Sequence, residues 1–132
     1  MQDRPTAAEL LATLTEYLQG EVLPNVQGTL RYHTLVAANL TRMLEREMLQ
    51  YPSALSAERT ALCSLLRVVP VGEPAEQVAS LNAELATRLG RNGDADADFE
   101  RAAWRVLSDA CAAKLAMSKP GYDGYDMARE VR

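Results

Sequence analysis

Isoleucine is absent from this 132-residue chain, aromatic residues make up 5% of it, and valine is sparse. The β-branched and aromatic side chains that fill sheets are therefore scarce, while alanine and leucine, both strong helix formers, dominate. That balance predicts an all-α fold. Positive charge is also in short supply: 14 Lys and Arg stand against 18 Asp and Glu, leaving a net charge of -4 and a pI near 5.0. No overall positive field exists to draw a phosphate backbone or an anionic membrane, which argues against nucleic-acid and membrane partners. Apolar runs extend only a few residues, and Met1-Gln2-Asp3-Arg4-Pro5 is polar with no hydrophobic signal region after it. A soluble cytoplasmic protein is expected. The two cysteines, Cys63 and Cys111, lie far apart on helical apolar patterns, without the Cys or His neighbours of a metal site. Reduced, buried thiols are the expectation and a disulfide the alternative.

The common catalytic templates are missing as well. The chain has no glycine-rich phosphate loop, Ser-His-Asp set, CxxC or HExxH, and no cofactor is implied. Glu45 and Glu47 are not a carboxylate dyad, because residues two apart on a helix diverge by about 200°. Asp94, Asp96 and Asp98 imitate the start of a calcium loop, but Phe99 stands where the loop needs glycine and Arg105 where it needs a bidentate glutamate. An acidic helix cap is the better reading of these three, and no metal site is expected.

What is present is helical periodicity. Thr6-Ala7-Ala8-Glu9 is a capping box at the head of a first helix, whose Leu10, Leu11, Leu14, Tyr17, Leu18 and Val22 form one stripe until Pro24 ends it. A second helix is expected from about Val26 or Thr29 to Gln50, with Leu30, His33, Val36, Ala37, Leu40, Met43 and Leu44 on one face and Pro52 closing it. Leu35, Ala38 and Leu49 fall on its opposite side, so neighbours on both sides would make it the central helix. A third helix capped by Ser53 or Ser56 buries Ala61, Leu62, Leu65 and Leu66. A fourth starts at Pro74, carries Val78, Leu81, Leu85 and Leu89, and stops at Gly90. A fifth, Phe99 to Met117, is capped by Asp98 and turns Phe99, Ala103, Val106, Leu107, Ala110, Cys111 and Leu115 inward. The expected architecture is a single-domain bundle of about five helices over residues 1–120, with a mobile tail at 121–132.

Four positions are candidates for a ligand or partner site. His33, the sole histidine, carries the imidazole that acid–base chemistry favours but is expected on the apolar face, hydrogen-bonded to another helix. Arg31, Arg42 and Arg46 fall within about 60° of one another on the second helix and can clamp a phosphate or carboxylate, or simply pair with solvent and neighbouring acids. With Leu35 and Leu49 beside them they form an arginine-rimmed apolar strip suited to another protein. Asn39 and Asn82 are expected to act structurally, fixing helix register or pairing with a carbonyl.

Several segments carry a family resemblance: Met1-Gln2-Asp3-Arg4-Pro5, Ala8-Glu9-Leu10-Leu11, Glu21-Val22-Leu23-Pro24, Val36-Ala37-Ala38-Asn39-Leu40, Glu45-Arg46-Glu47, Leu81-Asn82-Ala83-Glu84-Leu85 and Lys114-Leu115-Ala116. On these the chain resembles a family of small bacterial helical proteins of unknown function. Genes of that family often lie beside those of aminoglycoside-phosphotransferase-like kinases and acyl-CoA dehydrogenases. The resemblance implies a non-enzymatic accessory module for one of those enzymes in acyl metabolism, and it transfers no catalytic residue. A second expectation is a bundle that holds an acyl chain or CoA-like anion near His33, Arg42 and Arg46. A third, a hydrolase or transferase using His33 and Glu47, is weaker than either. A homodimer is compatible with the apolar patches.

Overall fold

A computed structural model of the chain describes residues 4–90 and 96–121. The tail expected at 121–132 lies outside the described residues except for Gly121, and so does Asp94. Every regular element among the described residues is helical. Four α-helices follow in order: α1 (Ala7–Tyr17), α2 (Gly28–Leu66), α3 (Pro74–Gly90) and α4 (Ala97–Ser118).

The all-α class is therefore correct and the count of five is not. The second and third expected helices are one helix of 39 residues, with Pro52 inside it. Proline costs about 3 kcal/mol in a helix interior, since it has no N–H to give and its ring crowds the carbonyl four residues back, here that of Met48. Breaking the helix would cost more partners, because each new end strands four backbone groups. No glycine occurs between Gly28 and Gly72, and beyond Pro52 the same helix buries Leu62, Cys63 and Leu66.

Local chemistry sets the other limits. The Thr6 hydroxyl accepts from the Glu9 N–H at 3.2 Å while Glu9 accepts from the Thr6 N–H at 2.6 Å, closing the capping box that opens α1. After Tyr17 the chain widens into a π-helical turn, Leu18–Val22, and then tightens into a 3-10 turn, Leu23–Asn25. The widened turn holds Gly20, four residues before Pro24, the position whose carbonyl a proline ring crowds in a regular α-helix. At the end of α2, Arg67 takes a left-handed φ of 57° and the Val68 N–H reaches back to the Cys63 carbonyl at 3.0 Å, a Schellman closure. Pro74 and Gly90 bound α3 as expected, and Glu73 caps it through the Glu76 N–H. Asp96, not Asp98, caps α4: its carboxylate accepts from the Asp98 N–H and its carbonyl from the Glu100 N–H. Asp98 instead pairs with Arg101 within the first turn.

The chain packs as two compact units, which divide at Pro52 and Leu115. Within residues 52–115, Leu62, Cys63, Leu66, Val78, Leu81, Leu85 and Ala103 form a buried core drawn from the second part of α2, α3 and α4. Leu55, Leu65, Leu89, Phe99, Val106 and Leu107 pack against it. Cys63 belongs to this core as a free thiol, but Cys111, expected inside, is exposed. It lies about 100° round the helix from Ala110, past the edge of the face that Ala103 anchors.

The other unit, among the described residues, comprises 4–51 and 116–121. Here α1 and the first part of α2 run antiparallel: Arg31 donates to the Leu23 carbonyl, Arg42 to Gln19, and the Thr15 and Thr41 hydroxyls meet at 2.7 Å. The contact face is built from small residues, with Thr15, Thr34 and Ala38 buried and Thr41 half-buried. Each threonine hydroxyl returns a hydrogen bond to a carbonyl of its own helix, so burial leaves it satisfied.

Candidate functional site

The threonine face displaces the one expected from periodicity. Counting 100° per residue, the face of Thr34, Ala38, Thr41 and Glu45 is centred about 130° round α2 from the stripe of Val36, Leu40 and Leu44. Those three are exposed, as is Tyr51 near the same line; Leu30 and Met48, also exposed, lie about 80° round the helix from Leu40. On α1, Leu11, Ala12, Leu18 and Val22 are half-buried around Thr15, whereas Leu10, Leu14 and Tyr17 are exposed. Toward α1, the first part of α2 thus presents its threonine face and not its leucine stripe. Small side chains let two backbones approach closely and turn the bulkier residues outward, which an apolar count of the sequence does not anticipate.

His33 goes out with that stripe. It is exposed, not set against a buried face, and its ring lies beside Tyr32 with centroids 5.8 Å apart and planes at 56°. The three arginines occupy another flank. Arg31 Nη1 donates to the Leu23 carbonyl at 2.8 Å, Arg42 Nη2 to Gln19 Oε1 at 2.9 Å, and the half-buried Arg46 gives its Nε–H to the Met117 carbonyl at 2.7 Å. Each guanidinium has five donors, so these bonds orient the groups without exhausting them. His33 stands about 180° round the helix from Arg42, so the structure does not bring it together with Arg42 and Arg46 in a single pocket. It does bring the arginines together with Leu35 and Leu49, which are exposed at 44% and 63% on the same flank. This arginine-edged strip is the candidate contact surface.

The two asparagines part company. Asn39 is exposed on α2. Asn82 is half-buried on α3 and donates to Glu58 Oε1 at 3.0 Å, while Lys114 Nζ on α4 lies 3.5 Å from the same oxygen. The Glu58 side chain is only 10% exposed, and an amide and an ammonium satisfy it where three helical segments of one unit meet. The sequence singles out Asn82 but not its partners, because Glu58 and Lys114 look like ordinary surface charges. Gln77 is a second polar anchor that periodicity misses. Its carbonyl oxygen accepts from Arg59 Nε and the Val71 N–H, and its amide donates to the Val69 carbonyl, fastening the α2–α3 loop.

Among the described residues, no group of three or more His, Cys, Asp or Glu is placed to hold a metal ion, and no helix is long and apolar enough to cross a membrane. The sequence model of a family described as "Domain of unknown function (DUF6285)" fits residues 24–122. No curated protein and no solved structure matches the chain.

Proposed function

We propose that this chain, which belongs to the DUF6285 family, is a non-enzymatic accessory module that recognises a partner enzyme through the arginine-edged strip of α2. The observation that carries this reading is the exposure of Leu35 and Leu49 beside Arg31 and Arg42. Apolar anchors with guanidinium neighbours are the composition of protein interfaces, where arginine is enriched and lone lysine or glutamate depleted. The family resemblance supplies the class of partner, a phosphotransferase-like kinase or an acyl-CoA dehydrogenase, and the setting, acyl metabolism in the bacterial cytoplasm.

The reading is tested by tagged co-purification from the native host, followed by mass spectrometry. Stoichiometric recovery of such a kinase or dehydrogenase is expected, reduced at least tenfold by Leu35→Glu with Leu49→Glu, since burying two carboxylates in an interface costs several kcal/mol. Turnover of an acyl or phosphorylated substrate by the purified protein alone would overturn it.

A further inference from the structure

We infer that the unit of residues 4–51 and 116–121 opens as one cooperative piece while residues 52–115 stay folded, so that the chain carries a conformational switch beside a stable core. The two units differ in what they bury. Within 52–115, Leu62, Leu66, Leu81 and Leu85 are buried together with Cys63, Val78 and Ala103. In the other unit, among the described residues, the buried ones are Thr15, Thr34, Ala38 and Met117. Apolar burial stabilises in proportion to area, and two threonines, an alanine and a methionine remove far less of it from water than that core does. The leucines this unit possesses do not make up the difference, since Leu10, Leu14, Leu40 and Leu44 lie on an exposed hairpin face of α1 and α2.

Polar contacts compensate little. The Thr15, Thr34 and Thr41 hydroxyls each bond a carbonyl of their own helix, a bond that the helix keeps when it stands alone. Arg31 and Arg42 reach Leu23 and Gln19 at the exposed surface, where water replaces a lost partner at small cost. The 11 residues of α1 are too few for a helix to hold its shape without tertiary contacts. The backbone also marks where the opening ends. Pro52 withholds from the Met48 carbonyl the hydrogen bond that any other residue gives, so the ladder of α2 is interrupted where the two units divide. Leu35 and Leu49 belong to the unit that opens, so if their strip is the proposed contact surface, a partner binds the closed form and suppresses the opening.

The test is native-state hydrogen exchange of the full chain, followed amide by amide by NMR in rising, sub-denaturing urea. Amides of α1 and of residues 34–46 are expected to share one opening equilibrium and one urea slope, and to be at least about a hundredfold less protected than those of Leu62, Leu81 and Leu85, with the step falling near Pro52. Arg46→Ala removes a tie internal to the opening unit, and should lower protection across 34–46 about tenfold while leaving the slowest amides of 78–85 unchanged. Three outcomes overturn the inference: equal protection and one urea slope in both units, a gradient fading inward from the chain's start with no shared slope, or an Arg46→Ala loss that reaches 78–85 equally. Exchange is read on the chain alone and the contact surface by co-purification, so either can fail without the other.

Discussion

Arg67 holds its backbone at a φ of 57°, where a side chain's Cβ crowds the following carbonyl, because the Schellman closure of α2 needs a left-handed residue at that position. Glycine meets the same need without a Cβ. Arg67→Gly should therefore stabilise the fold by about 1 kcal/mol, offset slightly by the greater freedom of the unfolded chain, and chemical denaturation should show a higher midpoint at unchanged slope. A lower midpoint would mean that the Arg67 side chain contributes more than its backbone costs. Residue chemistry of this kind is only partly legible in the sequence. Thr6 and Glu9 announce their capping box because the motif is local, while Asn82 gives no hint of Glu58 24 positions earlier, since that pairing exists only after α2 and α3 have packed. Of the four candidate site residues, the arginines share a flank as their spacing implies, yet the sequence cannot reveal that Arg46 is tied to a carbonyl 71 positions away.

Among the elements, α3 was the most legible, because proline at a first helical turn and glycine at a last one are decided by backbone chemistry alone. Pro52 misleads for the same reason. Proline ends a helix only when ending it is cheaper than continuing, and the packing of Leu62, Cys63 and Leu66 beyond it shifts that balance. Pro52→Ala restores a donor to the Met48 carbonyl and removes the ring contact. It should add about 1–3 kcal/mol to stability, read as a higher Tm with helical content unchanged or slightly raised. The misplaced face of α2 has a different origin. Periodicity weighs leucine and valine as inward and threonine as neutral, but threonine with its hydroxyl returned to its own helix packs as a small apolar residue, and Thr15, Thr34 and Thr41 take the contact that the leucines were expected to make.

At the scale of the whole molecule, composition decides the class and local signals decide most helix ends, but neither decides which apolar stripes stay outside. The contacts group the chain into two compact units, and their limits rest on packing that single-sequence patterns do not encode. Membership of the DUF6285 family extends across residues 24–122, which include all of α2, α3 and α4 but not α1. The hairpin face is therefore assembled from a helix within the family domain and one before it.

The bond between Arg46 and the Met117 carbonyl also sets an order in time. Residues 52–115 are contiguous and can settle as soon as they leave the ribosome, whereas the unit holding Arg46 must wait for α4 to be finished. Closing so long a loop is an entropic expense repaid late, so this contact belongs after the folding barrier. Arg46→Ala should accordingly accelerate unfolding, by about tenfold for a loss of 1.4 kcal/mol, and leave the refolding rate nearly untouched in stopped-flow traces. Slower refolding would instead place the joining of the two chain ends at the start of the reaction.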